Sequence, residues 1–181
     1  RAKKLDEICY DDMLELSSAG AGVLQARAVE FAKKYNVVIH SRSAFTDTPG
    51  TFIKEVTPSM EQAVISGIAH DTSEVKVTIR DLKDQYGIAS TVFSALASNM
   101  VNVDMIIQNV SEEGHTDLTF TCPESDLERA CETVERVLPK IGAREYVVDK
   151  NIAKVSLVGT GMKSSPGVAA RAFTALAENQ V

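Results

Sequence analysis

The sequence predicts an α+β protein: a βαββαβ unit, then the opening of a second, related unit, with a shorter α/β segment ahead of both. Three observations carry this. Two stretches nearly repeat one another, KVTIRDLKDQYGIASTVFSALASNMV from Lys76 and KVSLVGTGMKSSPGVAARAFTALAENQV from Lys154. Hydrophobic spacing alternates between the two-residue period of strands and the three-to-four-residue period of helices. Gly, Pro and Asn residues punctuate the segments in between.

Lys76 and Lys154 lie 78 residues apart while Phe93 and Phe173 lie 80 apart, so the second copy carries two extra residues between its strand and its helix. FSALASNMV and FTALAENQV share Phe, Ala, Leu, Ala, Asn and Val. Such self-similarity makes the repeat the unit of structure.

In the first third, Asp11 or Asp12 offers a helix start, and Gly20 and Gly22 break the chain before a second helix. On that helix Leu24, Ala28, Phe31 and Tyr35 form one apolar face. VVIHS reads as a short buried strand, and Pro49-Gly50 supplies a turn into a further extended piece. The stretch KEVTPSMEQ, residues 54–62, is polar, carries Pro58 and reads as a linker closing a segment of residues 1–53.

AVISGIAHD and EVKVTIRDL then read as successive strands. Gly87 to Met100 is a helix with Ala89, Val92, Phe93, Leu96 and Met100 on one face. NVDMIIQNV and HTDLTFTC alternate as strands around a SEEG loop. Leu127, Ala130, Cys131, Val134 and Leu138 line a second helix, and REYVVD closes with a strand. From Glu74 to Asp149 the order is therefore βαββαβ, the ferredoxin-like arrangement of a four-stranded antiparallel sheet with two helices on one face. The second copy supplies only βα, and the strand VISGIA, which the first unit does not use, is its expected partner. The divisions are residues 63–73 for that strand, 74–150 for the first unit and 151–181 for the second. A sequence that begins at Arg1 and ends at Val181 inside a helical pattern reads as a piece cut at both ends.

Composition narrows the function. With 44% apolar residues the chain can build a core. Its net charge of −6 and lack of any basic run argue against a nucleic-acid partner. Cys9, Cys122 and Cys131 are odd in number and without CxxC spacing, which fits reduced, buried thiols in a cytoplasmic protein. No apolar stretch approaches the ~20 residues of a membrane span. An RNA-binding sheet would carry stacking aromatics, whereas KVTIRD has none and DLTFT only Phe120. His40, His70 and His115 are scattered, which disfavours a metal site. GTGMKSS is not a phosphate loop, because Met162 and not Lys follows Gly161.

One feature recurs in both copies: a strand, a loop (RDLKDQYG or VGTGMKSSPG), then a helix start at Gly87 or Pro166-Gly167. Free N–H groups at a helix start hold a carboxylate, and Asp84 nearby suits an ammonium, the two ends of a free amino acid. The competing reading is that these are ordinary Gly and Pro helix starts. In NVDMIIQNV, Val103, Met105 and Ile107 point one way and Asp104, Ile106 and Gln108 the other. Either that second face meets solvent or Asn102, Asp104 and Gln108 bond a ligand or partner.

At these residues the sequence resembles the C-terminal part of the bacterial aspartokinases. LDEICYDDMLELSSAGAGVLQARAVEFAKKYNV resembles the end of their kinase domain, NVDMIIQNVS…HTDLTFT their first regulatory ACT domain, and KVSLVGTGMKSSPGV their second. The resemblance implies an α+β protein: an ACT pair, the second truncated, preceded by the α/β end of an amino-acid-kinase domain. It implies a parent enzyme that phosphorylates L-aspartate with ATP and Mg²⁺, inhibited by threonine or lysine. The catalytic residues would lie upstream of Arg1, leaving this piece inactive by itself.

Family effector sites lie between ACT units of two chains paired side by side. By position they imply Asp84, Gly87, Ala89, Asn102, Val103, Asp104, Gln108 and Ser111 in the first unit. In the second they imply Lys163, Ser164, Pro166, Gly167, Val168 and Ala169. One departure is Tyr86-Gly87, where the family commonly has Pro-Gly. The implied partners are amino-acid effectors and further copies, as a homodimer or an α2β2-type assembly, without nucleic acid or membrane. Two alternatives remain: a separate regulatory subunit starting at Met60, and a stand-alone amino-acid sensor.

Overall fold

The computed structural model describes residues 3–61, 64–110 and 114–181. They form two compact units, residues 1–71 with 155–181, and residues 72–154.

In the first unit, strands β1 (Glu7–Cys9), β2 (Ile39–Ser41) and β3 (Thr51–Lys54) form a sheet in the order β1-β3-β2, with β1 parallel and β2 antiparallel to β3. Helix α1 (Tyr10–Ser18) begins earlier than Asp11 or Asp12, because the Cys9 thiol takes the cap position and accepts from Asp12 N at 3.4 Å. Asp12 is buried and accepts a hydrogen bond from the Ser66 hydroxyl. Helix α2 (Ala26–Tyr35) buries Val29 and Ala32, not the expected face. Phe31 and Tyr35 are exposed and stack on each other, with Arg27 5.8 Å and Lys34 5.7 Å from the ring centroids. Cations over the rings let this side of the helix remain in water.

Within the expected linker a short helix, α3 (Pro58–Glu61), forms. Strand β4 starts at Gly67 and runs to Asp71, later than VISGIA, and pairs with β9 (Lys154–Val158). Ala69 and Val158 join Ile8, Tyr10, Met13, Val29 and Ile53 in one core. Helix α6 (Val168–Glu178) follows β9.

The second unit has the ferredoxin-like order. Strands β5 (Glu74–Lys83), β6 (Ile106–Val110), β7 (His115–Pro123) and β8 (Glu145–Asp149) form an antiparallel sheet ordered β6-β7-β5-β8. Helices α4 (Ile88–Ser98) and α5 (Leu127–Ile141) cover one face. Alternation decides the faces. Val75, Val77 and Ile79 of β5 and Leu118, Phe120 and Cys122 of β7 point into the core with Val92, Leu96, Val134 and Val137. Glu74, Lys76, Thr78, Thr119 and Thr121 take the opposite face, where the Thr78 and Thr119 hydroxyls bond at 3.0 Å.

The expected strand over NVDMIIQNV is shorter than its alternation suggests. Asn102, Val103 and Asp104 precede β6, because Met100 turns into the left-handed region and Val101 is buried at the end of α4. Cys9 and Cys122 are buried free thiols, while Cys131 is only half-buried. No helix among the described residues is long and apolar enough to cross a membrane.

Candidate functional site

A β-bulge delivers the chain to the site. Pairing of β5 with β7 slips between Ile79 and Leu82, where Asp81 adopts φ +56° and its N–H donates to Asp117 Oδ1 at 3.0 Å. The next loop is tied down at Asp84, whose N–H donates to Gly114 O at 2.8 Å. Gly87 then starts α4 at φ +89°, a conformation that glycine adopts without strain. A Cβ there would meet nothing within 4 Å, so backbone conformation and not space selects glycine.

No side chain caps α4. The Ile88 N–H donates to Gln85 O at 3.5 Å, which leaves the Ala89 and Ser90 N–H groups as the unpaired donors of the helix start, with its partial positive charge. Beside them lies a polar cleft of about 380 Å³ lined by Asp84, Gln85, Tyr86, Gly87, Ala89 and Gln108. Gln108 reaches it from β6, opposite Leu118 and so on the helix-bearing side of the sheet. The cleft thus combines unpaired donors, one carboxylate and two amides.

Four residues singled out from the sequence, Asp84, Gly87, Ala89 and Gln108, meet in this cleft. Gln85 and Tyr86 were missed, although they lie inside the loop that was singled out. Asn102, Val103 and Asp104 do not line it. Asn102 N donates to Asp126 Oδ2 at 3.2 Å, and the Asp104 carboxylate pairs with Lys154. Asp126 is almost fully buried, and the Asn102 N–H, then the Arg129 guanidinium, hold its carboxyl below the usual carboxylate range. Ser111 lies outside the described residues.

In the second copy Gly167 starts α6 at φ +88°, reproducing Gly87. The surroundings differ. Val168 and Ala169 line an apolar cavity of about 560 Å³ with Ile68, Val155, Phe173 and Leu176. Pro166 is exposed in the preceding turn. Lys163 and Ser164 end a 3₁₀ turn, Thr160–Ser164, and their side chains are outside the described structure. Gly159, also missed, has a spatial role: a Cβ would stand 2.4 Å from Val64 O. Among the described residues no group of three or more His, Cys, Asp or Glu could hold a metal ion.

An ACT domain profile matches residues 75–138 and 155–181. The aspartokinase of Mycolicibacterium smegmatis is 47% identical over 182 residues, which cover 98% of this chain and 43% of that protein. The chain belongs to the aspartokinase family. A second aspartokinase, from Pseudomonas aeruginosa, is 46% identical, with 100% of this chain and 44% of that protein covered. This aspartokinase chain therefore spans less than half the length of these relatives.

Solved structures give the same family. The aspartate kinase of Clostridium acetobutylicum superposes with a TM-score of 0.86 at 25% identity, over 99% of this chain and 41% of its own. The ligand-free regulatory subunit of the Thermus thermophilus aspartate kinase gives 0.60 at 39% identity, over 64% of this chain and 76% of its own. The ferredoxin-like unit of residues 72–154 is accordingly an ACT domain, and α6 with β9 belongs to the second matched segment.

Proposed function

We propose that this aspartokinase chain is the amino-acid-sensing part of an aspartate kinase, which converts L-aspartate and ATP to 4-phospho-L-aspartate in the cytoplasm. Threonine, lysine or both act as feedback inhibitors bound at the ACT units. The observation that carries the reading is the convergence of Asp84, Gly87, Ala89 and Gln108 on one cleft at the start of α4. An effector carboxylate is stabilised by the unpaired N–H groups of the first helical turn. Its ammonium group pairs with Asp84, and Gln108 bonds its polar atoms. Asn102, Val103, Asp104 and Ser111, with Lys163, Ser164, Pro166, Gly167, Val168 and Ala169, complete the effector contacts when ACT units of two chains pair, as a homodimer or α2β2-type assembly. ATP and Mg²⁺ serve the phosphoryl transfer, and effector and substrate sites are linked by a coupling free energy of ~1–3 kcal/mol.

Calorimetric titration with threonine and then lysine tests this. Saturable heat with either, lost in Gln108→Ala, is the expected result. No heat with either ligand in a folded, self-associated protein overturns the reading.

A separate regulatory subunit without catalytic role is the second reading, supported by the match to the Thermus thermophilus regulatory subunit. Its start would fall near Met60. A C-terminal tag on the gene product separates the two: an additional short product beginning at Met60 supports the separate subunit, and one full-length band refutes it.

A further inference from the structure

The open face of the sheet in residues 72–154 holds a charge that its neighbours leave unanswered. Glu74, the first residue of β5, is 7% exposed, and its Oε2 is buried without a hydrogen-bond partner. A carboxylate oxygen withdrawn from water without a replacement partner is costly. Glu74 lines a cleft of about 170 Å³ with Lys76, Met105, Ile107, Thr121 and Lys154. Both lysines face carboxylates of their own: Lys76 Nζ lies 3.2 Å from Asp149 Oδ2, and Lys154 pairs with Asp104. Each lysine is thus held by a carboxylate other than Glu74, whose Oε2 receives no donor. Its field reaches Cys122, whose thiol is pushed up to about 11, first by burial and next by the Glu74 carboxylate.

We propose that this cleft binds a primary ammonium group carried on a short aliphatic chain. The ammonium supplies the missing donor to Glu74 Oε2, and Met105 and Ile107 supply apolar walls for the methylenes. A metal ion is a poorer match, since hard cations take six or more oxygens. The threonine hydroxyls here are committed, Thr119 to Thr78 and Thr121 to the Met105 N–H. The site lies on the opposite face of β6 from Gln108 and does not depend on amino-acid binding at the α4 cleft.

The test follows thermal unfolding of the full chain as n-butylammonium chloride is raised, with potassium chloride at matched ionic strength as reference. A ligand of the native state raises Tm in a concentration-dependent way. The expected result is a rise with n-butylammonium alone, lost in Glu74→Gln and kept in Gln108→Ala. Should Glu74→Gln fail to fold, Ile107→Trp, at a half-exposed position facing the cleft, fills the space and abolishes the rise. No rise in the native chain, an equal rise with potassium, or a rise that survives Glu74→Gln or Ile107→Trp overturns the proposal.

Discussion

Asn99 and Asn179 close the two repeat helices with the same bond: each side-chain amide donates to the carbonyl four residues earlier, Ala95 O and Ala175 O, at 2.8 Å. The backbone beyond is equally matched. Met100 and Gln180 turn left-handed, at φ +53° and +59°, and Val101 and Val181 donate back to Leu96 O and Leu176 O at 3.0 Å. With Met100 N on Ala97 O and Gln180 N on Ala177 O, both ends are Schellman motifs built without glycine.

Burial separates the two copies. Leu96 is fully buried and Leu176 is 41% exposed. Leu96→Ala should therefore cost ~2–5 kcal/mol through the cavity it leaves. Leu176→Ala should cost about 1 kcal/mol or less. Denaturant unfolding of the two variants measures both, and equal losses would contradict the burial.

Gly87 is held by its backbone conformation alone. Gly87→Ala should destabilise by ~1–2 kcal/mol, the cost of a left-handed residue with a Cβ, and Gly87→Asn by less. Because the loop also shapes the cleft, the alanine variant should weaken effector binding in the same calorimetric assay. A neutral Gly87→Ala in both assays would mean that the loop relaxes freely.

Asp126 predicts an acid response. Its folded pKa is lowered, so the unfolded chain takes up the proton more readily. The contribution is therefore full above the ordinary carboxylate value of about 3.9 and is lost as pH falls through the lower folded value. Unfolding midpoints of the native chain should drop more steeply below about pH 4 than those of Asp126→Asn. Superimposable acid limbs would show that the Asn102 and Arg129 contacts do not act on Asp126.

Thiol labelling separates the three cysteines. Burial raises the Cys9 thiol above its ordinary value, and Cys122 is pushed to about 11, so neither presents much thiolate at pH 8. Cys131 is only half-buried. One thiol per native chain should react quickly with a disulfide reagent and all three after denaturation, and Cys131→Ser should remove the fast phase.

Much of the second unit was legible because its alternation is unambiguous: Val75, Val77 and Ile79 against Lys76 and Thr78 admit one pairing face. Where several faces were plausible, periodicity misled. Phe31 and Tyr35 satisfy helical spacing as well as Val29 and Ala32 do, and only the packing of α2 shows that the smaller pair is buried. The Cys9 cap was hidden because a thiol is a weak acceptor that capping preferences do not favour. In the cleft, the loop residues Asp84, Gly87 and Ala89 were visible through the repeat. The separation of Gln108 from Asp104 was not, since it depends on where the strand begins after Val101.

Strand β6 is a wall shared by two compartments, with Gln108 turned to one and Ile107 to the other. One inserted or deleted residue upstream in that strand would exchange the two side chains, putting an aliphatic wall into the first compartment and an amide into the second in a single event. The ligand preferences of the two sides are thus inherited together, and neither can drift by strand slippage while the other is preserved.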